Sequence, residues 1–218
     1  MKKLFILFVF SLFVVSCSTV NNYKYNVSMI KPIVSDSLRY KDDKIDVKFD
    51  AVTDNIKITL QNKSDKTLKI NWDELSIVLF NIAGRVIHEG IPLIDRDKAQ
   101  VPTIIPVNSI WIDKIVPVNN IYYVKAMKVG SIYTEGHYGL NPLFVQEKIS
   151  AKSKKTDKTN NDWVNSLKGS TFFLHFPIYY GDEKIEYDYV FKINDIETTK
   201  SKFSPYGNIQ KSKSKNRK

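Results

Sequence analysis

Two neighbouring segments of this chain place an apolar residue at every second position. The segment KIDVKFDA covers residues 44–51, and NIKITLQN covers residues 55–62. A period of two is that of a strand with one buried face, because successive side chains of a strand point to opposite faces. Only a short turn at Thr53-Asp54 separates the two segments. The sequence therefore predicts a β-hairpin here.

Seven further segments are rich in β-branched and aromatic residues, with turns indicated at Ala83-Gly84 and Gly181-Asp182. One short helix is expected near residue 165, with Asn161 or Asp162 as its N-cap, Trp163 and Leu167 on one face, and Gly169 as its end. Many strands with little helix favour an all-β fold, a β-sandwich. The seven segments are 67–71, 75–80, 85–88, 109–116, 121–128, 170–179 and 185–193.

The N-terminus follows a different pattern. Met1-Lys2-Lys3 is basic, residues 4–15 are apolar except for Ser11, and the run ends at Ser16-Cys17. This is the layout of a signal peptide. As a helix the apolar run would be about 18 Å long, too short for a hydrocarbon core of about 30 Å. We expect residues 1–16 to be cleaved off.

The residues at this junction, Val14-Val15-Ser16-Cys17, resemble the lipobox of bacterial lipoproteins. The resemblance implies cleavage between Ser16 and Cys17, attachment of diacylglycerol to the Cys17 thiol, and acylation of the new amine by a fatty acid such as palmitate. The alternative is a free or buried cysteine that follows an apolar run by chance. Cys17 is the only cysteine. Once it is modified, the mature chain can form no intramolecular disulfide.

The excess positive charge lies at the ends of the chain. The sequence has 33 basic and 23 acidic residues, a net charge of +10. Lys2 and Lys3 lie in the signal peptide, and residues 200–218 hold seven basic residues and no acidic one, which leaves 24 basic residues elsewhere. The body is thus nearly neutral, which argues against a nucleic-acid partner. The tail is either a solvated terminus or an attachment to an anionic surface, such as phospholipid headgroups or a cell-wall polymer.

These patterns divide the chain into four parts. Residues 1–16 are the lipoprotein signal peptide, 17–26 a lipidated tether, 27–199 the β-sandwich domain, and 200–218 a basic tail. The tail has few apolar residues to bury, so we expect it to be disordered.

Three segments of the body resemble uncharacterised lipoproteins of diderm bacteria. They are NKSDKTLKINWDELSIVLFNIAGRVIHEG at 62–90, PTIIPVNSIWIDKIVP at 102–117 and YYGDEKIEYDYVFKIND at 179–195. The resemblance implies an immunoglobulin-like β-sandwich. It implies no activity, because that family has no established chemistry.

No local motif for catalysis or metal binding is found. His88-Glu89 begins like a zinc-protease helix, but Gly90 follows and no histidine stands at position 92. Asp95 and Asp97 lack the further oxygen ligands of a calcium loop. His175 lies in the alternating segment FFLHFPIYY, which is typical of a strand histidine. We predict no catalytic residue, no metal site and no cofactor.

Two tyrosine pairs, Tyr122-Tyr123 and Tyr179-Tyr180, would place one ring on each face of a strand. An exposed ring could bind a sugar or a protein partner, whereas ordinary packing in a sandwich is the alternative.

The predicted function is that of a lipid-anchored envelope lipoprotein, not an enzyme, whose periplasm-facing β-sandwich is a structural or binding module. The expected partners are the membrane, through the lipid, and an envelope protein or the cell wall. Ser18, rather than an aspartate, follows Cys17, which favours the outer membrane. Two alternatives stay open: a carbohydrate-binding module, and an enzyme assembled from His88, Asp95 and Asp97 around one loop.

Overall fold

The computed structural model describes residues 19–52, 54–145, 147–149 and 161–202. The predicted signal peptide (residues 1–16), Cys17 and residues 203–218 lie outside these ranges, so the structure does not bear on the predictions made for them. The strands are β1 (Thr19–Lys31), β2 (Arg39–Lys41), β3 (Ile45–Val52), β4 (Asn55–Asn62), β5 (Leu68–Ile70), β6 (Ser76–Leu79), β7 (Ile82–His88), β8 (Thr103–Ile105), β9 (Ile110–Pro117), β10 (Ile121–Val124), β11 (Met127–Val129), β12 (Ile132–Thr134), β13 (His137–Leu140), β14 (Glu147–Ile149), β15 (Thr171–Tyr180) and β16 (Glu183–Lys202).

Helical structure is a minor part of the described chain. Three single-turn 3-10 helices span Trp72–Glu74, Leu93–Asp95 and Val118–Asn120. Residues 161–165 are helical, and residues 166–169 form a turn that ends at Gly169, which has a φ of 85°. The buried side chains here are Val164 and Leu167, whereas Trp163 is about half exposed. The buried face therefore differs from the predicted pair of Trp163 and Leu167.

Twelve of the described strands form one continuous sheet. Ten strands follow the order β14-β1-β16-β15-β6-β7-β9-β4-β3-β2. Outside this path, β5 pairs with β15 on one edge and with β8 on the other. We call the part from β14 to β6, with β5 and β8, the first half, and the part from β9 to β2 the second half. β7 pairs with β6 on one side and with β9 on the other, so it belongs to both halves. The fold is all-β, as predicted.

The two halves face each other across the hydrophobic core. Phe49 on β3 lies 4.6 Å from the ring centroid of Tyr189 and 5.2 Å from that of Phe191, both on β16. All three side chains are almost fully buried. Large aromatic side chains dominate the energetics of such cores, because each removes a large apolar area from water.

The hairpin predicted from the alternating segments is present as β3 and β4. Val47 lies opposite Leu60 and Phe49 opposite Ile58 in this pair. These four side chains are fully buried or nearly so. The period of two thus predicted both strands and the face of each strand that is buried in the core.

The sheet extends beyond both predicted ends of the domain, residues 27 and 199. β1 begins at Thr19 and β16 runs to Lys202, and these two residues lie opposite each other. Residues 19–26 are therefore part of the sheet and not a tether, and residues 200–202 are not part of a disordered tail. The reason is that Val20 and Tyr23 are buried, which gives this polar-looking segment two apolar contacts with the body.

Replacing Phe49 by alanine tests the packing between the halves. Truncation of a buried phenylalanine costs about 3–5 kcal/mol. We expect a loss of unfolding free energy of that size in urea denaturation. Ile112→Ala on β9 is the control, because Ile112 is 57% exposed, and it should change stability by only about 0.5 kcal/mol. Equal effects of the two substitutions would contradict this account of the core.

Candidate binding surface

His88 lies in a packed polar group between β7 and β9. Its ring stacks on Trp72 with 4.4 Å between ring centroids and 13° between ring planes. Its Nδ1 lies 3.2 Å from Oδ2 of Asp113, and Asp113 Oδ1 accepts a hydrogen bond from the backbone N–H of Glu89 at 3.0 Å. Both His88 and Asp113 are largely buried. These contacts fix the start of the loop that follows β7.

The carboxylates proposed to act with His88 are engaged elsewhere. Asp95 forms a salt bridge with Lys98 at 2.8 Å, and Asp97 lies 3.5 Å from Arg96. Among the described residues, no hydrogen bond or salt bridge joins His88 to either aspartate. No group of three or more His, Cys, Asp or Glu side chains in these ranges is placed to hold a metal ion. The structure thus does not bring the predicted trio together.

A two-part β-ribbon outside the main sheet is the most unusual surface feature. We call it the arm, residues Ile121–Leu140. Its base is the pair β10 and β13, and its tip is the pair β11 and β12. Gly130-Ser131 turns the chain at the tip, and Gly130 has a φ of 61°, the left-handed value that such turns need and glycine supplies. The predicted single strand 121–128 is therefore two strands, β10 and β11.

Tyrosine rings lie across glycines at the base of the arm. Tyr122 is opposite Gly139, and the ring lies so close that a Cβ on Gly139 would overlap it. Tyr123 covers Gly136 in the same way and packs on Tyr138 with ring centroids 4.9 Å apart. Rings that cover cross-strand glycines stabilise a ribbon that has no sheet behind it.

The tip of the arm has one apolar face. Val129 lies opposite Ile132, and Met127 lies opposite Thr134, so these four side chains share a face. Lys128 and Tyr133 share the other face. Met127, Val129 and Ile132 are 60%, 62% and 70% exposed. We call these three residues the apolar tip.

The arm is attached to the body at its base. Arg96 Nη1 donates a hydrogen bond of 2.8 Å to the backbone oxygen of Ile121, and its guanidinium lies 5.6 Å from the ring centroid of Tyr138. The backbone N–H of Asn141 donates to the oxygen of Asn120 at 2.8 Å. Arg96 thus contacts both strands of the base, β10 through Ile121 and β13 through Tyr138.

An apolar cleft of about 220 Å³ lies beside the base of the arm. Leu79, Leu143 and Phe144 form buried walls, and Phe80, Ile82 and Trp163 are exposed at its edges. Asn119 and Asn120 add the polar groups. The amide of Asn120 donates to the backbone oxygens of Asn141 and Pro142 at 3.3 Å each, which ties the cleft to the arm.

Tyr25 on β1 supports the cleft from behind. Its ring lies 5.0 Å from that of Phe144, and its hydroxyl donates a 2.8 Å hydrogen bond to the backbone oxygen of Val145. Burial raises the pKa of Tyr25 to about 12. The phenol therefore stays protonated and keeps donating this bond at every physiological pH.

At least one tyrosine of each predicted pair is exposed or partly exposed. Both Tyr122 and Tyr123 are exposed. Tyr180 is buried, whereas Tyr179 is partly exposed and donates hydrogen bonds to both carboxylate oxygens of Glu74, at 2.7 and 2.8 Å. His175 lies on the partly exposed face of β15 with its Nδ1 2.8 Å from Asp188, as expected of a strand histidine.

No family model, curated protein or solved structure matches this chain. In the part of the chain that the structure describes, no helix has the length and apolar character needed to cross a membrane.

Gly139→Ala should open the arm, because the added methyl group overlaps the Tyr122 ring. Overpacking costs about 1–3 kcal/mol, so we expect trypsin to cleave after Lys125 and Lys128 at least about fivefold faster. Ser131→Ala, in the exposed turn, is the control and should leave both cleavage rates unchanged. Equal rates for the two variants would contradict the role of Gly139.

Proposed function

We propose that this protein is a lipid-anchored lipoprotein of the bacterial envelope whose periplasm-facing β domain is a binding module. The arm is its contact surface. The observation that carries the proposal is the apolar tip, which projects on a ribbon outside the main sheet.

The arm pairs with no strand of the main sheet among the described residues. An isolated two-stranded ribbon is only marginally stable in water. The arm also exposes Met127, Val129 and Ile132 on one face, where contiguous apolar surface typically marks an interaction site. A partner that covers this face would remove the apolar side chains from water and stabilise the ribbon.

The chemistry of the arm favours a protein partner. Met127 can adapt its unbranched side chain to an irregular surface, and Tyr122, Tyr123 and Tyr133 are of the type enriched in interface cores. Lys125 and Lys128 lie beside the apolar tip, and neither forms a salt bridge with another described residue. The partner we expect has an apolar patch bordered by carboxylates.

We further propose, first, that the β domain has an immunoglobulin-like fold and, second, that the protein is anchored in the outer membrane. The packing of Phe49 against Tyr189 and Phe191, which sets one half of the sheet against the other, supports the first. Ser18 after Cys17 supports the second.

Site-specific photo-crosslinking tests the binding module. A photoreactive residue at Ile132 should capture an envelope protein in intact cells, because Ile132 is the most exposed residue of the apolar tip. The same residue at Lys192, an exposed polar position on β16, is the control and should capture little. Equal capture at the two positions, or none at Ile132, would argue against the arm as the contact surface.

Exposed tyrosines on the arm favour one second candidate, a carbohydrate-binding module. Rings of Tyr122, Tyr123 and Tyr133 are all solvent-accessible and could stack on sugar rings. Binding of isolated peptidoglycan that is lost in Tyr133→Ala, with no protein captured through Ile132, would favour this candidate over the first.

Replacing Cys17 by serine tests the lipid anchor. The variant has no thiol for diacylglycerol, so we expect it to lose incorporation of labelled palmitate and to keep residues 1–16, which mass spectrometry will detect. Ser18→Ala is the control and should be labelled and cleaved normally. A Cys17→Ser protein that is still cleaved before residue 17 would overturn the lipoprotein assignment.

A further inference from the structure

We propose that one edge of β16 is a second binding site, where an extended segment of a partner protein, rich in lysine or arginine, adds as a further strand of the sheet. We call residues 183–189 of β16 the open edge. The site goes beyond the proposed function, because it lies in the main sheet and uses neither the arm nor the lipid anchor.

The edge is open because β1 ends before it can pair with this part of β16. Lys31, the last residue of β1, lies opposite Val190. Pro32 follows, and proline has no N–H for a sheet ladder. On its other side, β16 pairs with β15 as far as Glu183. Among the residues that the structure describes, no strand therefore pairs with the open edge on the side away from β15.

The register shows which backbone groups point out of the open edge. The N–H of Ile193 donates to the oxygen of Ser170 at 2.9 Å, so odd-numbered residues of β16 direct these groups towards β15. The N–H and C=O groups of Lys184, Glu186 and Asp188 therefore point the other way, where no described residue bonds them. Strand addition uses such a row of main-chain donors and acceptors.

Pro177 on β15 supports this register. It lies opposite Glu186, in the gap between the residues of β15 that pair with β6 and those that pair with β5. Proline is found in a sheet where no ladder bond needs its N–H. The pair of Pro177 and Glu186 is therefore a non-hydrogen-bonded one, and the backbone groups of Glu186 face the open edge.

A groove of about 510 Å³ lies beside the open edge. Residues 185–188 form one side of it, and Tyr40 with residues 42–44, from the second half of the sheet, forms the other. The ring centroids of Tyr40 and Tyr187 are 6.0 Å apart. An added strand would thus place alternate side chains against these two tyrosine rings.

The far side of the groove is fixed before any ligand binds. Oδ1 of Asp42 accepts hydrogen bonds from the backbone N–H of Lys44 at 2.8 Å and of Ile45 at 2.7 Å. Its Oδ2 accepts from the hydroxyls of Tyr187 at 3.1 Å and Tyr40 at 3.2 Å. Because Asp42 joins this turn to β16, a peptide that enters the groove loses little free energy to reorganisation of the protein.

The charge of the groove selects a basic segment. Four carboxylates and two lysines line the groove, in a body that is nearly neutral. Asp43 is exposed and forms no salt bridge with another described residue, so a lysine or arginine of the added strand can pair with it beside the tyrosine rings. The carboxylates are those of Asp42, Asp43, Glu186 and Asp188, and the lysines are Lys31 and Lys44.

Two of these carboxylates lie on the face of β16 that is turned away from the core. Glu186 lies 3.2 Å from Lys184, and Asp188 lies 2.8 Å from Nδ1 of His175. More than half of each carboxylate side chain is still exposed. Exposed pairs of this kind contribute little free energy, so a basic side chain of the added strand can share or replace these contacts.

Hydrogen exchange followed by NMR tests the open edge in the free protein. The amide protons of Lys184, Glu186 and Asp188 should exchange at least about a hundredfold faster than those of Ile185 and Tyr187, because only the latter donate to β15. Equal protection of the two sets would overturn the register on which the site depends.

Fluorescence anisotropy with a labelled peptide tests the binding. The probe is a peptide of alternating lysine and valine, about as long as the open edge, and it is titrated with the full-length chain. We expect it to bind at least about tenfold more tightly than the same peptide methylated at every amide nitrogen, which keeps the charge but cannot donate to β16. A peptide of alternating glutamate and valine should not bind. Equal binding of the methylated peptide would overturn strand addition.

The variants Glu186→Pro and Glu186→Ala separate main-chain pairing from charge. Both remove the carboxylate, but only proline removes the N–H that faces the open edge, and it breaks no bond to β15. We expect Glu186→Pro to bind the lysine-valine peptide at least about fivefold more weakly than Glu186→Ala. Urea denaturation should show that both variants are folded. Equal binding by two folded variants would overturn strand addition.

Asp43→Asn tests the charge of the groove and leaves the backbone of β16 unchanged. We expect it to weaken binding of the lysine-valine peptide about two- to fivefold. Asp50→Asn is the control, because Asp50 is an exposed carboxylate on β3 outside the groove, and it should leave binding unchanged. Equal losses for the two variants, or a full-length chain that is dimeric and binds no peptide, would overturn the basic segment as the ligand.

Discussion

The fold depends on β7, the strand that both halves of the sheet share. One edge of β7 pairs with β6 and the other with β9, so the sheet continues from one side of the core to the other without a break. Because Cys17 is the only cysteine, no disulfide can join the halves. Their association depends on this strand and on core contacts such as that of Phe49 with Tyr189.

Local sequence patterns located the strands that have one buried face. β4 was predicted with its observed bounds, and β3 and β15 to within one residue. The ends of the domain were not predicted, because β1 finds its partner at the far end of the chain. No local pattern shows that Thr19 lies opposite Lys202, or that Asn21 becomes fully buried between β14 and β16.

The arm was not predicted, for a related reason. The run IYYVKAMK is typical of a buried strand, and whether such a run is covered depends on elements distant in sequence. A local signal was present in the two residues Gly130-Ser131 between MKV and IYT, which is a hairpin pattern. His88 is a similar case, because its partner Asp113 lies 25 residues away in the sequence and no local pattern joins the two.

The attachment of the arm through Arg96 has a consequence for hydrogen exchange. Within the described residues, β10 to β13 pair only with one another, so opening the arm breaks no ladder of the main sheet. Segments of this kind form cooperative units with their own low opening free energy. Amide protons of the arm should therefore exchange through local opening, whereas those of β4 and β15 should exchange only through global unfolding. A domain built in this way can change the shape of the ribbon to suit a partner and leave the body folded.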